Sequence, residues 1–222
     1  MQWEQDDNRE HMVMPGMVYV SQPTEYGTLY SLDELEGLSR ACHAHDMLLY
    51  VDGARLAYAL ATPGNDVTLP DLARLCDAFY VGGTKCGCLF GEAVVVPDPT
   101  TIPHFFTQIK QRGALLAKGR IAGIQFEVLF EDGLYERIGV SAVQEATRIR
   151  ERLAAHGLEQ PIASPTNQVF VLAEDAWLAR FGERVEYSFW EKPDAGHTVI
   201  RLATSWATRR EDVDALLGLL GE

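Results

Sequence analysis

The sequence predicts an α/β protein, a mostly parallel sheet followed by a smaller α+β unit. Three observations predict it. Apolar runs alternate with amphipathic stretches over residues 17–97. The runs "MVYVSQ", "LLYV" and "FYVGG" are apolar throughout, as in strands of a parallel or mixed sheet covered on both faces. After about residue 156 a second alternation begins, with two strands close together near the end.

Residues 17–22 read as the first strand, and "QPTEYGTLY" as a loop rich in turn formers. Residues 31–46 are amphipathic, with Leu32, Leu35, Leu38 and Cys42 at helical spacing; Ser31 and Glu34 form a capping box. "MLLYVDGAR" is an apolar run ending in a polar loop. "LPDLARLCDAF" is a helix opened by Pro70. "FYVGG" and "CLFGEAVVVP" are strands. From Pro97 to Gly157 the text is largely helical with glycine interruptions. Strands follow at 168–173, 185–190 and 197–204, with a turn at "KPDAGH" and a closing helix from about 209.

The chain has 222 residues, 47% of them hydrophobic, enough for one or two globular domains. A net charge of −13 argues against nucleic acid and anionic membrane as partners. No apolar run reaches membrane-span length. The polar start "MQWEQDDNREH" lacks the pattern of a secretory signal, which points to the cytoplasm and to thiols rather than disulfides at Cys42, Cys76, Cys86 and Cys88. Cys86 and Cys88 lack two further ligands at metal-site spacing, so no metal is expected.

The chemistry concentrates in "VGGTKCG", residues 81–87. A lysine among glycines, where something bulky can approach the backbone, can lose its proton by desolvation and attack a carbonyl. Asp52 ends a buried strand, and a carboxylate there needs a cation or donors to stay ionised; Arg55 is a candidate partner. Singly, each has a bland reading: a surface lysine, a structural Asp–Arg pair. Together, a strand-end aspartate and, 33 residues on, a glycine-flanked lysine suit pyridoxal phosphate. The lysine would hold the aldehyde, and the aspartate would keep the ring nitrogen protonated.

"VDGARL" (51–56), "FYVGGTKCGCLFGEAVVV" (79–96) and "VIRLATSWATRREDVDALL" (199–217) resemble the threonine aldolase / β-eliminating lyase family of fold type I pyridoxal phosphate enzymes. The resemblance implies a three-layer, mostly parallel sheet and a small α+β domain. It divides the chain into 1–105, the carboxyl-side portion of a cofactor-binding large domain, 106–155, a helical connection, and 156–222, the small domain. It makes Lys85 the cofactor-binding lysine, Asp52 the partner of the ring nitrogen and Thr84 a further cofactor contact. It places Arg55 and Arg201 on the substrate carboxylate, for which the forked guanidinium is suited.

The implied reaction is retro-aldol cleavage of a threonine-like β-hydroxy-α-amino acid to glycine and an aldehyde, by a homo-oligomer, dimer or tetramer. β-Elimination on the same scaffold and a non-catalytic remnant are the alternatives. The basic run Lys110, Arg112, Lys118 and Arg120 reads as a solvated helix face. With about four large-domain strands, no early glycine-rich phosphate turn and no evident ring-stacking residue, the chain is expected to be the carboxyl-terminal portion of such an enzyme, incomplete at its N-terminal side.

Overall fold

The computed structural model describes residues 3–220. Its first sheet has the order β1-β2-β3-β4, formed by Met17–Ser21, Leu48–Gly53, Ala78–Val81 and Ala93–Val95. The first three strands are parallel and β4 runs antiparallel to β3. The helix α1 (Leu32–Ala44) joins β1 to β2, and α2 (Leu56–Leu60) and α3 (Leu69–Leu75) join β2 to β3. The Ser31–Glu34 capping box forms at α1, and a second, Thr68–Asp71, forms at α3, where Pro70 sits inside the first turn. Thr68 thus does the capping at the helix that Pro70 was expected to open.

The two faces of this sheet differ. Leu49, Val51, Phe79 and Val81 point to one face and pack under Leu35 and Cys42 of α1 and Leu72 and Leu75 of α3. Each large apolar side chain so buried is worth about 1.5–3 kcal/mol. The other face carries Tyr19, Tyr50 and Tyr80, and the Tyr19 and Tyr50 rings stack at 5.3 Å. Among the described residues no helix covers this second face, and Tyr19 stays exposed. The strands therefore alternate in burial, where the sequence suggested cover on both sides.

The strand expected at 88–97 shrinks to Ala93–Val95. Gly87 and Gly91 adopt positive φ, which extended backbone does not use, and residues 82–92 form a compact loop instead.

The stretch after β4 folds as α4 (Phe105–Gln111), α5 (Arg120–Phe130), α6 (Leu134–Arg137) and α7 (Val140–Ala155). Leu129 and Tyr135 join the first core, whereas Ala146, Ile149 and Leu153 of α7 join a second. Lys110, Arg112, Lys118 and Arg120 are all exposed. The second sheet has the order β5-β7-β6, from Gln168–Glu174, His197–Ala203 and Ser188–Glu191, and is antiparallel throughout. Within it, α8 (Asp175–Phe181) follows β5 and α9 (Arg210–Leu219) closes the fold. Val169, Val171, Ile200 and Leu202 meet α7 and Val213 of α9. The opposite face, with Phe170 and Arg201 in register, turns toward the first sheet.

No helix among the described residues is long and apolar enough to cross a membrane.

Candidate active site

Asp52 is the penultimate residue of β2, in register with Tyr80 of β3. Its Oδ1 accepts the Ala54 N–H at 2.9 Å, and its Oδ2 accepts the Tyr19 hydroxyl in a very short hydrogen bond. Partial burial works to raise its pKa, but the Tyr19 and Tyr80 hydroxyls, the Ala54 N–H and the charge of Lys85 outweigh it. The carboxyl is held below its ordinary value, and is an anion at neutral pH. The same contact pushes the Tyr19 hydroxyl up to about 12, so tyrosine is the donor.

Lys85 lies in the loop after β3. Desolvation first, then the charge of Arg55, push its amine below the ordinary lysine value, while Glu25, Asp52 and Glu92 work the other way. The loop backbone is held by three side chains. Tyr58 donates to the Lys85 carbonyl, Tyr135 donates to the Gly82 carbonyl at 2.9 Å, and Glu92 accepts both the Gly83 N–H and the Thr84 hydroxyl, the latter at 2.6 Å.

Three glycines are packed closely against their own surroundings. A Cβ on Gly82 would lie 2.4 Å from the Ala54 carbonyl oxygen, and one on Gly53 would lie 2.0 Å from that of Tyr80. A Cβ on Gly83 would meet Cys88 Sγ and Phe126 at 2.8 Å. At Gly53 and Gly82 glycine thus allows close packing of two strand ends, a role the sequence reading did not include, whereas Gly87 has only the Ile138 and Trp206 side chains near it, at 3.4 Å and beyond. Cys86 and Cys88 point inward and are buried; burial pushes the Cys86 thiol up to about 12, so it is not a nucleophile at neutral pH.

Arg55 occupies the N-cap position of α2 without a side-chain bond to the helix end, and its Nη1 faces Glu25 Oε2 at 3.5 Å. Arg201, on β7, donates from Nη1 to Gln168 Oε1 at 3.0 Å, and its guanidinium carbon lies 5.4 Å from the centre of the Trp190 ring. Its Nε is enclosed without a hydrogen-bond partner among the described residues. Burial, then the charge of Arg55, push the Arg201 guanidinium below its usual value, so the two cations feel each other across the gap between the sheets.

The structure thus brings Asp52, Lys85, Arg55 and Arg201 to one place. Thr84 is close by but its hydroxyl is committed to Glu92. Sequence reasoning missed Tyr19, Tyr80, Glu25, Glu92 and Gln168. The tyrosines had a signal: "YV" recurs at 19–20, 50–51 and 80–81, once in each of the three parallel strands. Glu25, inside an ordinary-looking loop, had none. Chemically, the site offers a depressed amine, a donor-stabilised carboxylate and two guanidinium forks.

A family model described as Beta-eliminating lyase matches residues 2–176. A low specificity L-threonine aldolase from a Pseudomonas species is 31% identical over 162 residues, which cover 72% of this chain and 47% of the relative. The corresponding protein of Pseudomonas aeruginosa is 30% identical over 168 residues, covering 75% and 49%. The chain spans about half the length of the curated relatives it matches. Among solved structures, a threonine aldolase of Leishmania major superposes with a TM-score of 0.92 at 42% identity, over 96% of this chain and 62% of that one. A serine palmitoyltransferase of Sphingomonas wittichii, at 13% identity and a TM-score of 0.67 over 96% of this chain and 56% of its own, shares the fold alone.

Proposed function

The chain belongs to the β-eliminating lyase family, with the α/β architecture of the fold type I pyridoxal phosphate enzymes, and from that premise we propose that it performs retro-aldol cleavage of threonine-like β-hydroxy-α-amino acids, giving glycine and an aldehyde. The observation that carries this reading is the proximity of Asp52, Lys85 and Arg55, at and beyond the carboxyl ends of β2 and β3, to Arg201 on β7. The threonine aldolases among the relatives support the aldol reaction over β-elimination.

The residues present fit pyridoxal phosphate at its aldehyde and ring nitrogen. Lys85 would hold the aldehyde, and partial desolvation, which lowers its pKa, favours the unprotonated amine relative to an ordinary lysine. Asp52 would hold the ring nitrogen; of the carboxylate's roughly four lone-pair sites, one remains beyond those used by Tyr19, Tyr80 and Ala54. When bound, the cofactor supplies an electron sink for the bond broken at Cα. Thr84 could join the cofactor contacts only by releasing Glu92, since its one hydroxyl proton already points there. Arg55 and Arg201 would hold the substrate carboxylate, and so fix which Cα bond is presented for cleavage. Tyr19 and Tyr80 keep Asp52 ionised throughout.

We assign the protein to the cytoplasm, as a homo-oligomer (dimer or tetramer). Its four buried thiols support that compartment, and the exposed Phe106, Leu116 and Ile124 on and between α4 and α5 support association.

The reading is tested with the purified chain, pyridoxal phosphate and borohydride, followed by peptide mapping. The label is expected on Lys85; a label on Lys110 or Lys118 instead overturns it. Incubation with L-threonine is expected to give glycine and acetaldehyde together. Ammonia and a 2-oxo acid in their place would assign β-elimination.

A further inference from the structure

Two guanidinium groups, one just beyond β2 and one on β7, do not share a site unaided, because their charges repel. Some part of the protein must hold them. One side chain touches both halves. Gln168, fully enclosed at the start of β5, accepts from Arg201 Nη1 with its Oε1 at 3.0 Å and donates from Nε2 to the Glu25 carbonyl at 3.3 Å. The Glu25 side chain then reaches Arg55 at 3.5 Å. A continuous path therefore runs Arg201–Gln168–Glu25–Arg55.

The loop that carries Glu25 is pinned to the second sheet by other contacts as well. The Gly27 carbonyl accepts from the hydroxyls of Ser164 at 3.3 Å and Thr166 at 3.1 Å. Tyr26 packs edge-on against Trp190, with ring centres 5.5 Å apart, and Trp190 is the ring beside Arg201. Gly27 sits at φ +71°, and a Cβ there would fall 2.2 Å from Ser164 Oγ.

Glutamine suits the bridging position. Its amide must present oxygen to the guanidinium and nitrogen to the carbonyl; a flipped amide would set donor against donor on one side and acceptor against acceptor on the other. A glutamate there would lack the donor and would neutralise Arg201. Glu25 is different. Its side chain is mostly exposed and its ion pair is single and long, the kind worth little in water. A ligand carboxylate gripped by two forks would outcompete it.

We propose that Gln168 and Glu25 are positioning residues of a preset carboxylate clamp: Gln168 sets the spacing of Arg55 and Arg201, and Glu25 is the resident counter-ion on Arg55 that the substrate carboxylate displaces. This rests on the reading of the two arginines as carboxylate anchors. The test is a titration of the chain with sodium acetate at constant ionic strength, followed through the side-chain Nε–H signals of Arg55 and Arg201. Saturable shifts at both are expected in the unsubstituted chain. Gln168→Met, which removes both bridging hydrogen bonds, should weaken acetate about tenfold, the worth of roughly one to two hydrogen bonds. Glu25→Gln, which keeps shape and removes charge, should tighten it about threefold. The opposite signs separate positioning from damage, and Glu25→Gln lies on an exposed loop, so it carries the test alone if Gln168→Met does not fold. No response at either arginine in the unsubstituted chain overturns the anchor reading. A response unchanged by both variants, or weakened by Glu25→Gln, overturns the clamp and leaves the anchors standing.

Discussion

Around Lys85 the protein grips its own backbone: Tyr58 and Tyr135 donate to main-chain carbonyls, and Glu92 accepts a main-chain N–H. Around Arg201 the partners are side chains, the Gln168 amide and the Trp190 ring. The first arrangement fixes where the lysine's Cα stands, whatever is bound. The second fixes a charge through rotatable bonds and lets it settle on a ligand. The attachment point proposed at Lys85 needs the former, and the carboxylate fork proposed at Arg201 needs the latter.

Lys85→Ala gives the largest expected effect on that comparison: no reducible cofactor adduct at all, read by mass after borohydride, with the fold intact by circular dichroism. An adduct that persists at another lysine would break the comparison at its root. Asp52→Asn comes next. The cofactor should still be trapped on Lys85, while turnover falls on the order of 100–1,000-fold, the usual worth of a preorganised charge at a developing one. Near-normal turnover would make Asp52 structural.

Arg201→Ala sharpens the other side. Loss of one partner of a charged hydrogen-bonded pair typically costs ~2–5 kcal/mol. The loss should fall on KM for L-threonine and leave the cofactor dissociation constant within about twofold, since Arg201 is tied to no cofactor-side residue. Parallel loss of both affinities would indicate damage to the fold. Tyr135→Phe should act on stability alone. It leaves the enclosed Gly82 carbonyl with only the weak Cys86 thiol donor at 3.0 Å, at a cost of about 1 kcal/mol by chemical denaturation.

The smallest effect is on pH. The Lys85 amine titrates below 10.5, so its rate of adduct formation should rise with pH through a midpoint below that value. Glu92→Gln removes a charge that favours the ammonium, so the midpoint should move lower still. An upward move would show that Glu92 acts only through the loop's shape.

Much of this was legible beforehand, for local reasons. The Ser31 capping box is a four-residue signal, and it formed. Lys85 and Asp52 were marked by their places at strand ends, which strand periodicity sets. β4 was read too long because glycine conformation, rather than apolar content, decides where the 82–92 loop stops. That Gly82 also serves backbone packing is visible only once it is seen against Ala54. Gln168 and Glu25 are 143 residues apart and meet through one hydrogen bond. No local pattern encodes such a meeting.

The exposed link between α4 and α5 has a consequence of its own. Arg112, the last residue tied to α4, and Lys118 lie in it, both exposed, and Lys110 and Arg120 flank it. Trypsin should therefore cut here first. The Lys85 side lies wholly before the link and the Arg201 side wholly after it, yet Phe126 and Leu129 pack back onto the first core and the Glu25 loop stays seated on Ser164 and Thr166. A nicked preparation would run as two bands under denaturing conditions and as one particle under native ones, with all four charged site residues still in place.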